Sequence, residues 1–151
     1  MIEIRPAKAA EIEALTAICQ RSKAHWGYDR DFMEKSRHAL AVKPERVGTG
    51  DVLVAELDGV VAGVAAIAPD EGGFEIDLFF VDPPAMGRGL GVRLFRALVA
   101  HANKRGIATL SILSDPNAQA FYEKLGARKI GSAPSDAIPG RTLPLLQIDI
   151  G

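Results

Sequence analysis

Only one cysteine, Cys19, occurs in the chain of 151 residues, so no intramolecular disulfide can staple it and a reducing compartment is expected. Cys19 falls at helical spacing with Ile12, Leu15 and Ile18, which reads as a buried core thiol and not a nucleophile. The three histidines, His25, His38 and His101, show neither metal-ligand nor nucleophile-base spacing, so no metal and no covalent triad are expected. An excess of charge of one sign is missing too. With 18 basic against 19 acidic residues the formal net charge is −1, and no global field draws the chain to nucleic acid or an anionic membrane. No apolar run reaches the ~20 residues of a membrane span. Residues Met1-Ile2-Glu3-Ile4-Arg5 lead directly into a charged, periodic stretch without a leader's apolar core, so the expected location is the cytoplasm. Internal repeats and low-complexity segments are absent.

What remains is a chain 48% hydrophobic, enough for one good core and too short for two, so residues 1–151 are expected to form a single domain. Strand and helix signals alternate. Ile2 to Arg5 reads as a strand, Pro6 to about Lys23 as a helix, Asp29 to Leu40 as a weaker helix and Val42 to Gly50 as a loop. Val52 to Leu57 and Val60 to Ala68 form a hairpin across Asp58-Gly59, a strong turn pair. Phe74 to Val81 is a strand on which strict alternation puts Glu75, Asp77 and Phe79 on one face and Ile76, Leu78 and Phe80 on the other, unless a bulge intervenes. A helix follows, with Leu90, Leu94, Leu98 and Ala102 on its apolar side. Ala108 to Leu113, Arg128 to Gly131 and Leu143 to Ile150 complete the strands. A meander followed by a strand-helix-strand crossover predicts a mixed sheet with helices on its faces.

Two segments carry chemistry. Val81-Asp82-Pro83-Pro84-Ala85-Met86-Gly87-Arg88-Gly89-Leu90-Gly91 joins a strand to a helix with glycine at every second position at its end, which lets backbone amides approach a bulky anion. It lacks the Gly-Lys-Ser/Thr ending of a Walker loop, and its even spacing differs from the Gly-x-Gly-x-x-Gly of dinucleotide sites. The second segment, Ser114-Asp115-Pro116-Asn117-Ala118-Gln119-Ala120-Phe121-Tyr122-Glu123-Lys124-Leu125-Gly126-Ala127, opens with Asp115 as a helix N-cap and Pro116 in the first turn, and stops at Gly126.

The pair, in this order and at this separation, resembles the acyl-coenzyme A loop and tyrosine helix of the GNAT superfamily of N-acetyltransferases. The family's loop carries Gln or Arg where this chain has Met86, and its usual aromatic after the helix is replaced by Ala127. The resemblance implies an α+β, three-layer fold: a mixed, mostly antiparallel sheet of about 6–7 strands flanked by about four helices. It implies acetyl-CoA as cosubstrate and no metal. Its pyrophosphate would lie on main-chain amides from Met86 and Gly87 through Arg88, Gly89, Leu90 and Gly91 to Val92. Its pantetheine arm would pair with the backbone of Phe79, Phe80 and Val81, one of whose amides would polarise the thioester carbonyl. Asp115 or Asn117 stands where the family has asparagine, and Ala118, Phe121 and Tyr122 would complete the cofactor side.

Acetyl transfer to an amine needs a proton acceptor, because an alkylammonium cannot attack a thioester. Glu75 and Asp77 are the candidates. The leaving thiolate needs a proton, which the phenol of Tyr122, with an ordinary pKa of ~10, can give. The acceptor pocket is expected around His25, Trp26 and Tyr28, and its ligand is a small-molecule or peptide amine. The function expected is direct acetyl transfer in a ternary complex. The alternative is a non-catalytic acyl-CoA-binding or regulatory module of the same fold, and a remoter one is a nucleotide-phosphate binder. A homodimer is compatible with this composition.

Overall fold

The computed structural model describes residues 1–151. Seven strands make one sheet: β1 (Ile2–Pro6), β2 (Val52–Leu57), β3 (Val60–Asp70), β4 (Gly73–Val81), β5 (Thr109–Leu113), β6 (Arg128–Pro134) and β7 (Thr142–Asp149), in the order β1-β2-β3-β4-β5-β7-β6. Every neighbouring pair is antiparallel except β4 with β5. Five helices flank the sheet: α1 (Ile12–Ala24), α2 (Arg30–Ser36), α3 (Pro44–Gly48), α4 (Leu90–Lys104) and α5 (Gln119–Lys124). The architecture is the expected three-layer one, with one helix more. That helix, α3, lies in the stretch expected to be a loop and is started by Pro44 in its first turn.

Boundaries shifted where proline or local turns overrode periodicity. Pro6 ends β1, and a 3₁₀ turn at Ala9–Glu11 precedes α1, so the first helix starts at Ile12. The second helix stops at Ser36, short of Leu40. Asp58 and Gly59 both take positive φ, 52° and 82°, the two left-handed residues that a tight hairpin requires.

One core layer lies between the sheet and α4, the other between the sheet and α1. Leu90, Leu94, Phe95, Leu98 and Ala102 bury the expected face of α4, each large side chain contributing about 1.5–3 kcal/mol. Gly63 in β3 lets this helix sit close, since a Cβ there would meet Leu90 Cδ2 at 3.0 Å. Leu15, Ile18 and Cys19 of α1 pack on Val52, Val54, Val64 and Leu78 on the opposite side. Burial pushes the Cys19 thiol up to about 12, consistent with an inert core residue.

Two irregularities shape the site. The β3–β4 ladder pairs Ala66 with Leu78 and then Ile67 with Ile76, so Asp77 is the extra residue of a bulge. The bulge breaks the strict alternation expected from sequence. Ile76 joins the α4 layer together with Phe74, Phe79 and Val81, whereas Leu78 and Phe80 join the α1 layer. Glu75 and Phe79 therefore do not share a face. The second irregularity is a seam: β4 and β5 are linked by a single register pair, Glu75 with Ser111. Beyond it the strands diverge, leaving the β5-facing edge of Leu78–Val81 without a ladder partner.

Candidate functional site

The seam opens into a cleft of about 470 Å³. One wall is the loop into α4. Gly87 and Gly89 hold φ of 81° and 78°, so a side chain would be strained at either, and Gly89 is the left-handed N-cap of α4. The amides from Gly87 through Val92 donate to no main-chain carbonyl, and the first turn of α4 carries no acidic side chain. Unpaired donors at the positive end of a fifteen-residue helix have the chemistry to receive an anion.

The floor is aromatic. Phe79, Phe95, Phe121 and Tyr122 pack with ring centroids 5.4 to 6.2 Å apart, mostly edge to face. Gly91 fits against this cluster, since its missing Cβ would lie 3.4 Å from the Phe121 ring. Tyr122 is 6% exposed, and burial, with a smaller push from the Asp115 charge, raises its phenol well above the usual range. It stays protonated at neutral pH.

Of the residues assigned to the cofactor, Phe79, Phe80, Val81, Met86, Gly87, Gly89, Leu90, Gly91, Val92, Asp115, Asn117, Ala118, Phe121 and Tyr122 all line this cleft. Arg88 does not; its residue is exposed on the outside of the loop. The helix carrying Tyr122 starts later than expected. α5 begins at Gln119 with Ala118 as its N-cap, and Asp115 instead caps a turn by accepting the amide of Asn117 at 2.8 Å.

A second cleft, of about 320 Å³, adjoins the first, and Lys23, Ile76, Asp77, Phe80 and Leu113 line both. Glu75 lines only the second, and Asp136 sits there too. Burial, then the charges of Asp70, Asp77 and Asp136, raise the Glu75 carboxyl to about 7. Asp77 is exposed within the crevice, yet its walls remove enough water to raise its carboxyl, with Lys43 and Arg46 opposing. Both carboxylates thus line the second cleft despite the bulge, with Asp77 at its junction with the first.

The expected acceptor residues separate. Trp26 lines the first cleft and keeps 47% of its surface exposed. His25 is exposed, stacked edge-on against Trp26, and lines neither cleft. Tyr28 lines neither; its ring stacks on Phe32 at 3.9 Å and its hydroxyl donates to Asp115 Oδ2 at 2.7 Å. Lys23, Asp136 and Arg141 were not anticipated. Lys23 lies two residues before His25, while Asp136 and Arg141 sit in the β6–β7 connection, where Pro139-Gly140 signals a turn and nothing signals a site.

The acetyltransferase (GNAT) domain family matches residues 22–137. A 5-NmdU N-acetyltransferase of Pseudomonas phage PaMx11 is 27% identical over 135 residues, covering 88% of this chain and 91% of the phage protein. Glucosamine 6-phosphate N-acetyltransferase 1 of Oryza sativa subsp. japonica is 48% identical, but over 46 residues, 30% of this chain and 28% of the rice protein. Among solved structures, the paia N-acetyltransferase of Thermoplasma acidophilum in complex with coenzyme A superposes with a TM-score of 0.77 at 15% identity, covering 99% of both chains. YncA of Salmonella typhimurium, a structure with acetyl-CoA, gives 0.73 at 23% identity over 100% of this chain and 95% of that one.

Proposed function

Because the chain belongs to the GNAT acetyltransferase family, we propose that it moves an acetyl group from acetyl-CoA to a small-molecule or peptide amine by direct attack in a ternary complex. The observation that carries this reading is the single cleft that brings the unpaired loop amides, the open edge of β4 and the Tyr122 phenol together, with a carboxylate-lined cleft alongside. The glycines at 87 and 89 have nothing within 4 Å of the Cβ they lack, so the backbone is open to a bulky diphosphate. Met86 costs little, since amides do the holding. The free edge of Leu78–Val81 can accept an amide-bearing arm as an added strand and present an N–H to the thioester oxygen.

The amine approaches from the second cleft. Glu75, with a carboxyl near neutrality, takes the ammonium proton, directly or through water, and Asp77 holds the nitrogen at the junction. The amine nitrogen then bonds to the thioester carbon, the carbon–sulfur bond breaks, the departing thiolate takes the Tyr122 proton, and the second proton of the new amide nitrogen passes back, through water, to the Tyr122 oxygen. Cys19 is walled off in the α1 layer and takes no part. The carboxylates suit a cationic acceptor.

Release of free thiol across a broad panel of amines tests the proposal. Turnover of at least one amine is expected, and acetyl-CoA should raise the melting temperature while ATP does not. Equal shifts with both ligands would point to a nucleotide site. Stabilisation by acetyl-CoA without turnover of any amine would point to a binding module.

A further inference from the structure

Between the two clefts lies a hydrogen-bonded cluster that the proposed chemistry does not use. Asp115 Oδ1 accepts the Asn117 amide and side-chain nitrogen at 2.8 and 2.9 Å, and Oδ2 accepts Lys23 Nζ at 2.6 Å and the Tyr28 hydroxyl at 2.7 Å. The Tyr28 oxygen in turn accepts Arg141 from 2.9 Å, and the Arg141 guanidinium lies over the Phe32 ring at 4.9 Å. We infer that Asp115 is a positioning residue that sets the shape of the acceptor cleft and does not hold the cofactor. The inference rests on reading the first cleft as the cofactor's and the second as the acceptor's.

Asp115 has no capacity left for a ligand. Its side chain is 10% exposed, each oxygen already accepts two hydrogen bonds, and a carboxylate offers no donor to a diphosphate. Burial works against its charge, but the bonds from Lys23, Asn117 and Tyr28 win and hold its carboxyl below the usual range. Its partners come from three separate segments: Lys23 from α1, Tyr28 from the α1–α2 connection, and, through Tyr28 and a direct 3.8 Å ion pair, Arg141 from the β6–β7 connection. Lys23, Phe32 and Arg141 all wall the second cleft. One carboxylate on the β5–α5 turn therefore fixes three acceptor-side walls. Without its charge, Lys23, only 14% exposed, loses its sole ion-pair partner.

Hydrogen exchange of the acetyl-CoA complex tests this in Asp115→Asn, which keeps the volume, and in Tyr28→Phe, which removes the hydroxyl that joins Arg141 to Asp115 and leaves their direct 3.8 Å ion pair and the Lys23 pair in place. In Asp115→Asn the amides of residues 25–29 and 135–141 should exchange about tenfold faster while those of α4 do not change. In Tyr28→Phe both sets should loosen less than in Asp115→Asn, since the Lys23 and Arg141 ion pairs with Asp115 remain. Acetyl-CoA affinity measured by calorimetry should stay within about threefold of wild type in both. With the best amine of the panel, Asp115→Asn should raise the amine KM about tenfold and leave kcat within about threefold. A large loss of acetyl-CoA affinity with the loops still protected would make Asp115 a cofactor contact and overturn the inference. So would faster exchange throughout the sheet, or no change at all. If no amine releases thiol, the acyl-transfer reading fails while exchange and affinity still decide the role of Asp115.

Discussion

Replacing Glu75 by glutamine should make the protein more stable and less active, and the two effects share one cause. Its carboxyl moves from 4.5 to about 7 on folding because it loses water and faces Asp70, Asp77 and Asp136. The folded chain therefore binds more protons than the unfolded one between about pH 4.5 and 7, so stability falls as pH rises through that window and the penalty is complete above it. At about 1.4 kcal/mol per pH unit the ceiling is about 3 kcal/mol, and the solvent that still reaches the side chain reduces it to roughly 1–3. Glutamine removes the charge and with it the penalty. Scanning calorimetry at pH 8 should show Glu75→Gln melting about 3–10 °C above wild type, with the two curves converging near pH 4. Under the proposed mechanism, wild-type kcat/KM rises through about pH 7, and the variant should lose roughly 10²- to 10⁴-fold in turnover together with that limb. Equal melting of the two proteins at pH 8 would refute the electrostatic argument. A persisting limb near pH 7 in the variant would move the proton acceptor elsewhere, with Asp77→Asn the next variant to measure.

Tyr122→Phe keeps the edge-to-face aromatic packing and removes only the hydroxyl, so thermal stability should change little while turnover falls roughly 10²- to 10⁴-fold at nearly unchanged acetyl-CoA affinity; single-turnover and calorimetric measurements check both. Gly89→Val should cost at least about 1–2 kcal/mol by urea titration, because a β-branched residue resists φ of 78°. Gly91→Val has an ordinary helical backbone but pushes into Phe121 and the cleft, so calorimetry should show weakened acetyl-CoA binding by a folded protein. Asp51→Ala should destabilise by about 1–3 kcal/mol at pH 7, since it removes a carboxylate only 1% exposed that partly exposed His101 and Arg105 hydrogen-bond. Burial alone would raise the Asp51 carboxyl, but those two bonds outweigh it and lower it, so the difference from wild type should be full above pH 4 and shrink as pH falls through the depressed value.

The sequence was legible where a signal is local. The hairpin at Asp58-Gly59, the apolar face of α4 and the glycine loop each depend on neighbours within a few positions, and each stands where expected. Bulges and turns that depend on distant pairing were not legible. The extra residue at Asp77 exists because of its register with β3, and no pattern within β4 announces it. Asp115 carries a helix-capping signal that is real but satisfied by a turn, because its carboxylate is recruited by Lys23 and Tyr28 from the other end of the chain. Arg141 is one cation among eighteen until β6 and β7 fold back and bring it to Tyr28.

The single rung between β4 and β5 also orders how the molecule comes together. Strands β1 to β4 pair as sequential neighbours apart from the helical insertion after β1, and β5 to β7 close their own antiparallel unit, so each half can nucleate on mostly short-range contacts. Docking of the halves is left to α4, which leaves one and leads into the other, and to aromatic rings contributed from both sides. The cleft is the gap where that docking is incomplete. Completing the cleft and docking the two halves then draw on the same contacts, and a molecule that spans the gap would clamp the native state.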